Sequence, residues 1–278
     1  MTRTTARRAS FSPMPACPTN YGRMSDIELD YTEDAFLGGQ LRLRQPNAGH
    51  RIGHDALLLA ASCRAREGER VVEFGAGVGA AGLAVAKRIG SLDLVLVEID
   101  PALAALARHN ARANDIQARI CVLDVTAAPH AFITAGLPPD SADAVLMNPP
   151  FNDAARHRAS PDPARASAHM AQPTMLVQWI AAARRILKSG GLLTLIWRAD
   201  GLSEALAALD HGFGSLALLA VHGDAQKPAI RILIRALKGG RAPTQILPAL
   251  MLNGAPALGE QEVGEILAGK RVLPLAIP

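Results

Sequence analysis

The chain has 278 residues, 49 % of them hydrophobic and 19 % charged. That balance excludes a disordered chain and suits one large α/β unit or two small ones. No apolar run reaches the roughly 18 residues of a membrane-spanning helix, and Cys17, Cys63 and Cys121 follow no ligand spacing; no membrane span, disulfide scaffold or metal site is expected, and a reducing cytoplasm is the default location. The net charge of +4 is local to residues 1–23, where Arg3, Arg7, Arg8 and Arg23 stand without an acidic residue; the rest holds 25 basic against 25 acidic residues. Net charge therefore says nothing about nucleic acid.

Residues 1–23 are rich in Ser, Thr and Arg, with Pro13, Pro15 and Pro18 and no apolar periodicity. They read as a disordered tail or an over-extended reading frame with Met24 as the start. Residues 24–69 form an N-terminal extension. Its acidic lead-in, Asp26 to Asp34, is expected to be a solvated strand, and Leu41–Arg44 alternates apolar and basic as an edge strand does. After Gln45-Pro46, the run from His50 to Ser62 holds a helix with Asp55 at its start. Asp55 either compensates the helix dipole and caps the helix or lies near a cofactor.

Residues 70–250 alternate strand and helix. Val71–Phe74 is a short apolar strand, followed by Gly75, Gly77, Gly79 and Gly82 and an alanine-rich helix, 80–89. A second strand runs from Leu92 to Glu98. Asp100-Pro101 supplies an N-cap and a first-position proline for a helix to about Ala113. A third strand ends at Asp124, and residues 126–140 read as a connection. The strand 142–147 ends at Asn148-Pro149-Pro150-Phe151. Beyond a polar stretch, 152–171, come the helix 175–187, the strand 192–197, a helix near 202–209 and the strands 215–221 and 229–237. Residues 251–278 form a C-terminal extension with one helix near 260–267. We read one domain, an α/β doubly wound sheet.

In such sheets ligands bind outside the carboxyl ends of the strands. The glycine turn, Glu98, Asp124 and Asn148 all fall on that edge. Gly77 to Gly82 also fits G-x-G-x-x-G, the dinucleotide fingerprint, and Glu98 suits a ribose diol in either kind of enzyme. Glu73 discriminates. A carboxylate two residues before the turn repels a pyrophosphate and attracts a ligand carrying a free ammonium, and S-adenosylmethionine has one. Asp124 is either a strand-end turn residue or an acceptor for the amine of that cofactor's adenine.

Asn148-Pro149-Pro150-Phe151 is the most specific signal in the chain. Its prolines fix the backbone and aim its carbonyls. An amino nitrogen conjugated to a π-system is a poor nucleophile. Two acceptors, the Asn148 side-chain oxygen and the Pro149 carbonyl, can hold its N–H bonds and turn its lone pair toward a methyl group. Phe151 can stack on a flat substrate. The alternative is a proline-rich turn with Phe151 in the core.

These motifs resemble the class I S-adenosylmethionine-dependent methyltransferases, in the branch that modifies amino groups. From about Thr32 to Leu250, Gln45 and the segment around Asp55 included, the layout resembles the bacterial tRNA adenine-N6 methyltransferases that act beside the anticodon of a valine tRNA. The resemblance implies a Rossmann-like sheet of seven strands, mostly parallel with the last antiparallel. It implies S-adenosylmethionine as cofactor, with Glu73, Gly75 and Gly77 at its methionine end and Gly79 in the same turn. Glu98 would hold its ribose and Asp124 its adenine, and residues 148–151 would hold the target base. Phe151 stands where the family also uses Tyr.

Guanine-N2 rRNA enzymes and glutamine-amide enzymes share the tetrapeptide, but residues 24–69 are too few for the second fold copy of the one and too extended for the helical domain of the other. DNA adenine methylation and an inactive RNA-binding scaffold remain alternatives. An RNA substrate, a tRNA by the resemblance, requires a cationic face. Lys227, Arg231, Arg235, Lys238 and Arg241 stand in a stretch without acidic residues, Arg231 and Arg235 on one face of a strand. Arg156, Arg158 and Arg165 are expected to form a second patch. A merely solvated surface is the alternative.

Overall fold

The computed structural model describes residues 30–47, 51–150, 175–253 and 259–277. Its organising feature is a set of strands apolar on both faces. In β4 (Asp93–Glu98) the side chains of Leu94 and Leu96 enter one buried cluster and those of Val95 and Val97 another. The same period of two divides β3 (Arg70–Phe74) and β6 (Ala142–Met147). A strand apolar on both faces must be covered on both, and helices do so here. One layer holds α1 (His54–Ser62), α2 (Ala80–Ile89) and α3 (Pro101–Ala113); the other holds α4 (Pro129–Thr134), α5 (Met175–Ile186) and α6 (Leu202–Leu209).

The sheet also contains β5 (Ala118–Val122), β7 (Leu187–Arg198), β8 (Phe213–Asp224), β9 (Ala229–Lys238), β10 (Gln245–Ile246) and β11 (Leu250–Asn253). Its nine strands run β10-β8-β9-β7-β6-β3-β4-β5, with β11 also pairing with β8. Only β9 is antiparallel to its neighbours, inserted between β7 and β8. The expected Rossmann-like sheet is present, with its seventh strand reversed. The strand order changes direction at β3, leaving β6 and β4 on either side of it, and that is the switch point at which doubly wound sheets bind ligands.

Three local details differ from the sequence reading. The Leu41–Arg44 strand does not join the main sheet: β2 (Leu41–Pro46) pairs only with β1 (Tyr31–Phe36), and its buried Leu41 and Leu43 pack with the α1–α3 layer. The connection 126–140 contains α4. The proline-punctuated end supplies β10 and β11, and then α7 (Gly259–Leu267), whose Val263 and Ile266 join the core with Leu273 and Leu275. Among the described residues no helix is long and apolar enough to cross a membrane, and no cluster of His, Cys, Asp and Glu could hold a metal ion.

Candidate active site

The switch point is built from three strand ends in register. Phe74 of β3 pairs with Val97 of β4 on one side and with Met147 of β6 on the other. One residue further along each strand lie Gly75, Glu98 and Asn148, on neighbouring strands about 4.8 Å apart. The sequence order thus becomes a row: Glu98, glycine turn, Asn148.

The turn from β3 into α2 requires positive φ, with Gly75 at 65°, Gly77 at 55° and Gly79 at 88°. A Cβ on Gly77 would meet no atom within 4 Å, so this position opens a cradle that a side chain would fill. Gly82 is needed for close approach instead. A Cβ there would lie 2.6 Å from Leu96 Cδ2 and 2.7 Å from Glu73 Oε2, so its absence lets α2 settle onto β3 and β4. The Trp179 ring of α5 packs directly over Gly75.

Glu98 is 6 % exposed and accepts two backbone hydrogen bonds, from Gly77 N–H at 2.6 Å and from Asp100 N–H at 2.9 Å. A carboxylate has about four lone-pair sites, so it retains capacity for a diol. Ile99, next in sequence, is 61 % exposed. Sequence reasoning missed it, although an isoleucine just past a strand-end carboxylate lies outside the buried alternation and is the available signal. Asp124 follows β5 and is exposed; its Oδ1 accepts from both the N–H and the hydroxyl of Thr126 at 2.7 Å. It is a strand-end turn residue, with Oδ2 left for another donor.

Glu73 is hydrogen-bonded to the helix that follows the turn. It is 5 % exposed, and its Oε2 accepts from Gly82 N–H at 2.7 Å, tying β3 to the first turn of α2. Burial pushes its carboxyl up to about 8, the Gly82 hydrogen bond opposing and the charge of Glu98 adding. Without a cationic partner the group is mostly protonated at neutral pH, so it is not a standing negative charge. Asp55 is also engaged: in the first turn of α1, it receives Arg231 Nε at 2.8 Å. The helix itself has Gly53 at its N-cap and no side-chain cap.

Asn148 caps the row. Its Oδ1 is buried and has no hydrogen-bond partner among the described residues, while Pro149 is buried and Pro150 exposed. A buried amide oxygen without a donor costs about 1–3 kcal/mol, so this one is poised to accept a hydrogen bond. Phe151, Arg156, Arg158 and Arg165 lie outside the described residues.

Among the described residues, the five cations of the 225–250 stretch do not share one edge of the sheet. Arg231 and Arg235 do share a face of β9, but α1 and the C-terminal segment cover it. Arg231 pairs with Asp55, and Arg235 donates to the carbonyls of Leu275 and Ile277 at 2.7 and 2.9 Å. Because β9 is antiparallel, its far end lies at the amino edge of the parallel strands. There Lys238 donates to Asp140 Oδ1 at 2.8 Å and to the Leu187 carbonyl, and Arg241 follows it. Of the five cations, Lys227 and Arg231 stand at the edge that carries Asn148.

The doubly wound sheet, the glycine turn opening at its switch point and the carboxylate on the next strand define a class I, S-adenosylmethionine-dependent methyltransferase. The model of the methyltransferase small domain matches residues 48–224, and the chain belongs to that family. A relative from Pedobacter heparinus, named tRNA1(Val) (adenine(37)-N6)-methyltransferase, is 27 % identical over 208 residues, 73 % of this chain and 83 % of its own. One of the same name from Porphyromonas gingivalis is 27 % identical over 175 residues, 62 % of this chain and 68 % of its own. A predicted O-methyltransferase from Agrobacterium tumefaciens superposes with a TM-score of 0.65 at 29 % identity, covering 79 % of this chain and 98 % of its own. A T. thermophilus 16S rRNA guanine-N2 methyltransferase, solved with AdoMet and guanosine, shares the fold at a TM-score of 0.52 and 19 % identity, over 75 % of this chain and 50 % of its own.

Proposed function

We propose that the chain methylates the N6 amino group of an adenine in RNA, a tRNA by analogy with its relatives, in the cytoplasm. The observation that carries this reading is the Oδ1 of Asn148 beside the glycine turn, buried and without a hydrogen-bond partner among the described residues. An exocyclic amine has two N–H bonds and needs two acceptors. Asn148 Oδ1 and the Pro149 carbonyl supply them, and the fixed backbone of the two prolines sets their direction.

The cofactor, when bound, supplies an electrophilic methyl group on a sulfonium sulfur. Glu98 would hold its ribose hydroxyls, Asp124 Oδ2 would take its adenine amine, and Ile99 would offer an apolar surface to the adenine ring. Gly75, Gly77 and Gly79 would let the backbone approach its methionine end, and Glu73, if it neighbours the ammonium there, would be favoured in its ionised form. Attack by the amino nitrogen would form the N–C bond as the methyl–sulfur bond breaks, the thioether S-adenosylhomocysteine leaving; the nitrogen would gain positive charge and its hydrogen bond to Asn148 would strengthen, stabilising the transition state. The N–H bond is acidified in the same step, so its proton leaves to water after attack and no strong base is required beforehand. By the family resemblance, Phe151 would stack on the base.

The same geometry suits guanine N2 or a carboxamide. It suits a hydroxyl acceptor less well, since that offers one proton and needs a base, whereas amide and prolyl carbonyls are not bases at neutral pH. Incubation of the chain with methyl-labelled S-adenosylmethionine and unmodified tRNA transcripts, followed by nucleoside analysis, tests the reading. Label in N6-methyladenosine is expected. Label in N2-methylguanosine, or cofactor binding with no label in any RNA or protein, would overturn it.

A further inference from the structure

Asn110, in the middle of α3, is fully buried. Its Oδ1 accepts from Arg44 N–H at 2.7 Å, and its Nδ2 donates to the Arg44 carbonyl and to the Val78 carbonyl, both at 3.0 Å. One helical turn later Asn114 treats Arg42 in the same way, accepting from its N–H at 3.0 Å and donating to its carbonyl at 2.8 Å. The repeat is geometric: four residues of helix rise about 6 Å and two residues of strand about 6.8 Å. Two side-chain amides therefore stand in for a neighbouring strand along the open edge of β2.

Each makes a third bond: that of Asn114 returns to the Asn110 carbonyl at 2.8 Å, whereas that of Asn110 enters the glycine turn. Val78 lies between Gly77 and Gly79, whose N–H groups are held by Glu98 at 2.6 Å and by the Ala76 carbonyl at 2.8 Å, and Asn110 holds the carbonyl between them. We propose that Asn110 is a positioning residue for the cofactor. By fixing the Val78 carbonyl it sets the plane of the 78–79 peptide within the turn. This rests on the glycine turn being the cofactor site.

Asn114 supplies the control, because it shares the hairpin bonds and lacks the bond to the turn. The test titrates S-adenosylmethionine into the wild-type chain, Asn110→Ala, Asn110→Asp and Asn114→Ala, with thermal unfolding of each and steady-state KM and kcat. Both alanine variants should unfold at lower temperature. Asn110→Ala and Asn110→Asp should bind the cofactor roughly tenfold or more weakly, the scale of one lost buried hydrogen bond, with the loss in KM rather than kcat, and Asn114→Ala should stay near wild type. Equal cofactor affinity in Asn110→Ala and Asn114→Ala, or wild-type affinity in Asn110→Asp, would overturn the proposal. If Asn110→Ala does not fold, the comparison of Asn110→Asp with Asn114→Ala decides it. A wild-type chain that binds no cofactor would remove the site reading itself.

Discussion

Asn148 and Glu73 stand on neighbouring strands, one with an acceptor in need of a donor, the other with a carboxyl in need of a charge. Asn148→Ala deletes the acceptor and leaves the glycine turn, Glu98 and Asp124 in place. Calorimetric affinity for S-adenosylmethionine should stay near wild type while turnover falls by about two orders of magnitude, the usual scale for a lost charge-stabilising hydrogen bond. Undiminished turnover would mean that the amine is held elsewhere. The prediction for Glu73 follows from proton linkage. With its carboxyl pushed up to about 8 in the folded chain and near 4.5 in the unfolded one, the folded state holds the extra proton between those values, so stability falls as pH rises through that window. Glu73→Gln keeps an acceptor for Gly82 N–H and cannot ionise. Its unfolding temperature should match wild type near pH 4.5 and exceed it increasingly toward pH 8. An ammonium beside Glu73 would ionise it, so cofactor binding near pH 7 should release up to about one proton in the wild type and none in the variant, measured in buffers of differing ionisation enthalpy. Binding without proton release would place the ammonium away from Glu73.

At the scale of elements, the direction of β9 decides which cations face a substrate. Lys227 lies in the β8–β9 turn at the carboxyl edge, and its side chain is 74 % exposed; Lys238 and Arg241 lie at the opposite edge. Lys227→Ala should reduce the salt dependence of RNA binding by about one phosphate contact, whereas Lys238→Ala and Arg241→Ala should leave it unchanged. An equal loss in all three would mean that RNA wraps both edges. None of this was legible in the local sequence, which shows five cations in one stretch but not the ends of the strand they occupy. The partners of these cations are distant along the chain: Asp55 for Arg231, Asp140 for Lys238. Asn110 was hidden for the same reason. A mid-helix asparagine looks like a weak helix former, and only the folded chain brings Arg44 and Val78 to it.

The whole molecule was far more legible than its surface. Strands buried on both faces announce themselves as apolar runs, and Asp100-Pro101 marks the start of α3, where the Asp100 carboxylate does accept from Ala102 N–H at 2.7 Å. The row of Glu98, glycine turn and Asn148 was readable because each closes such a strand. The C-terminal segment was not readable: its short strands carry little periodicity, and its place depends on a latch. Arg235 reaches from β9 to the carbonyls of Leu275 and Ile277, Leu273 N–H donates to the Ala61 carbonyl at 2.9 Å, and Leu275 is fully buried. The segment thereby closes the layer formed by α1 over the face of β9 that also holds the Asp55–Arg231 pair. Arg235→Ala removes two charge-assisted hydrogen bonds to backbone carbonyls, a loss of about 1–3 kcal/mol. The variant should unfold at lower temperature and exchange the amide hydrogens of residues 273–277 faster, with the salt dependence of RNA binding unchanged. A reduced salt dependence with unaltered stability would instead put Arg235 against a phosphate and leave the C-terminal segment held by its apolar contacts alone.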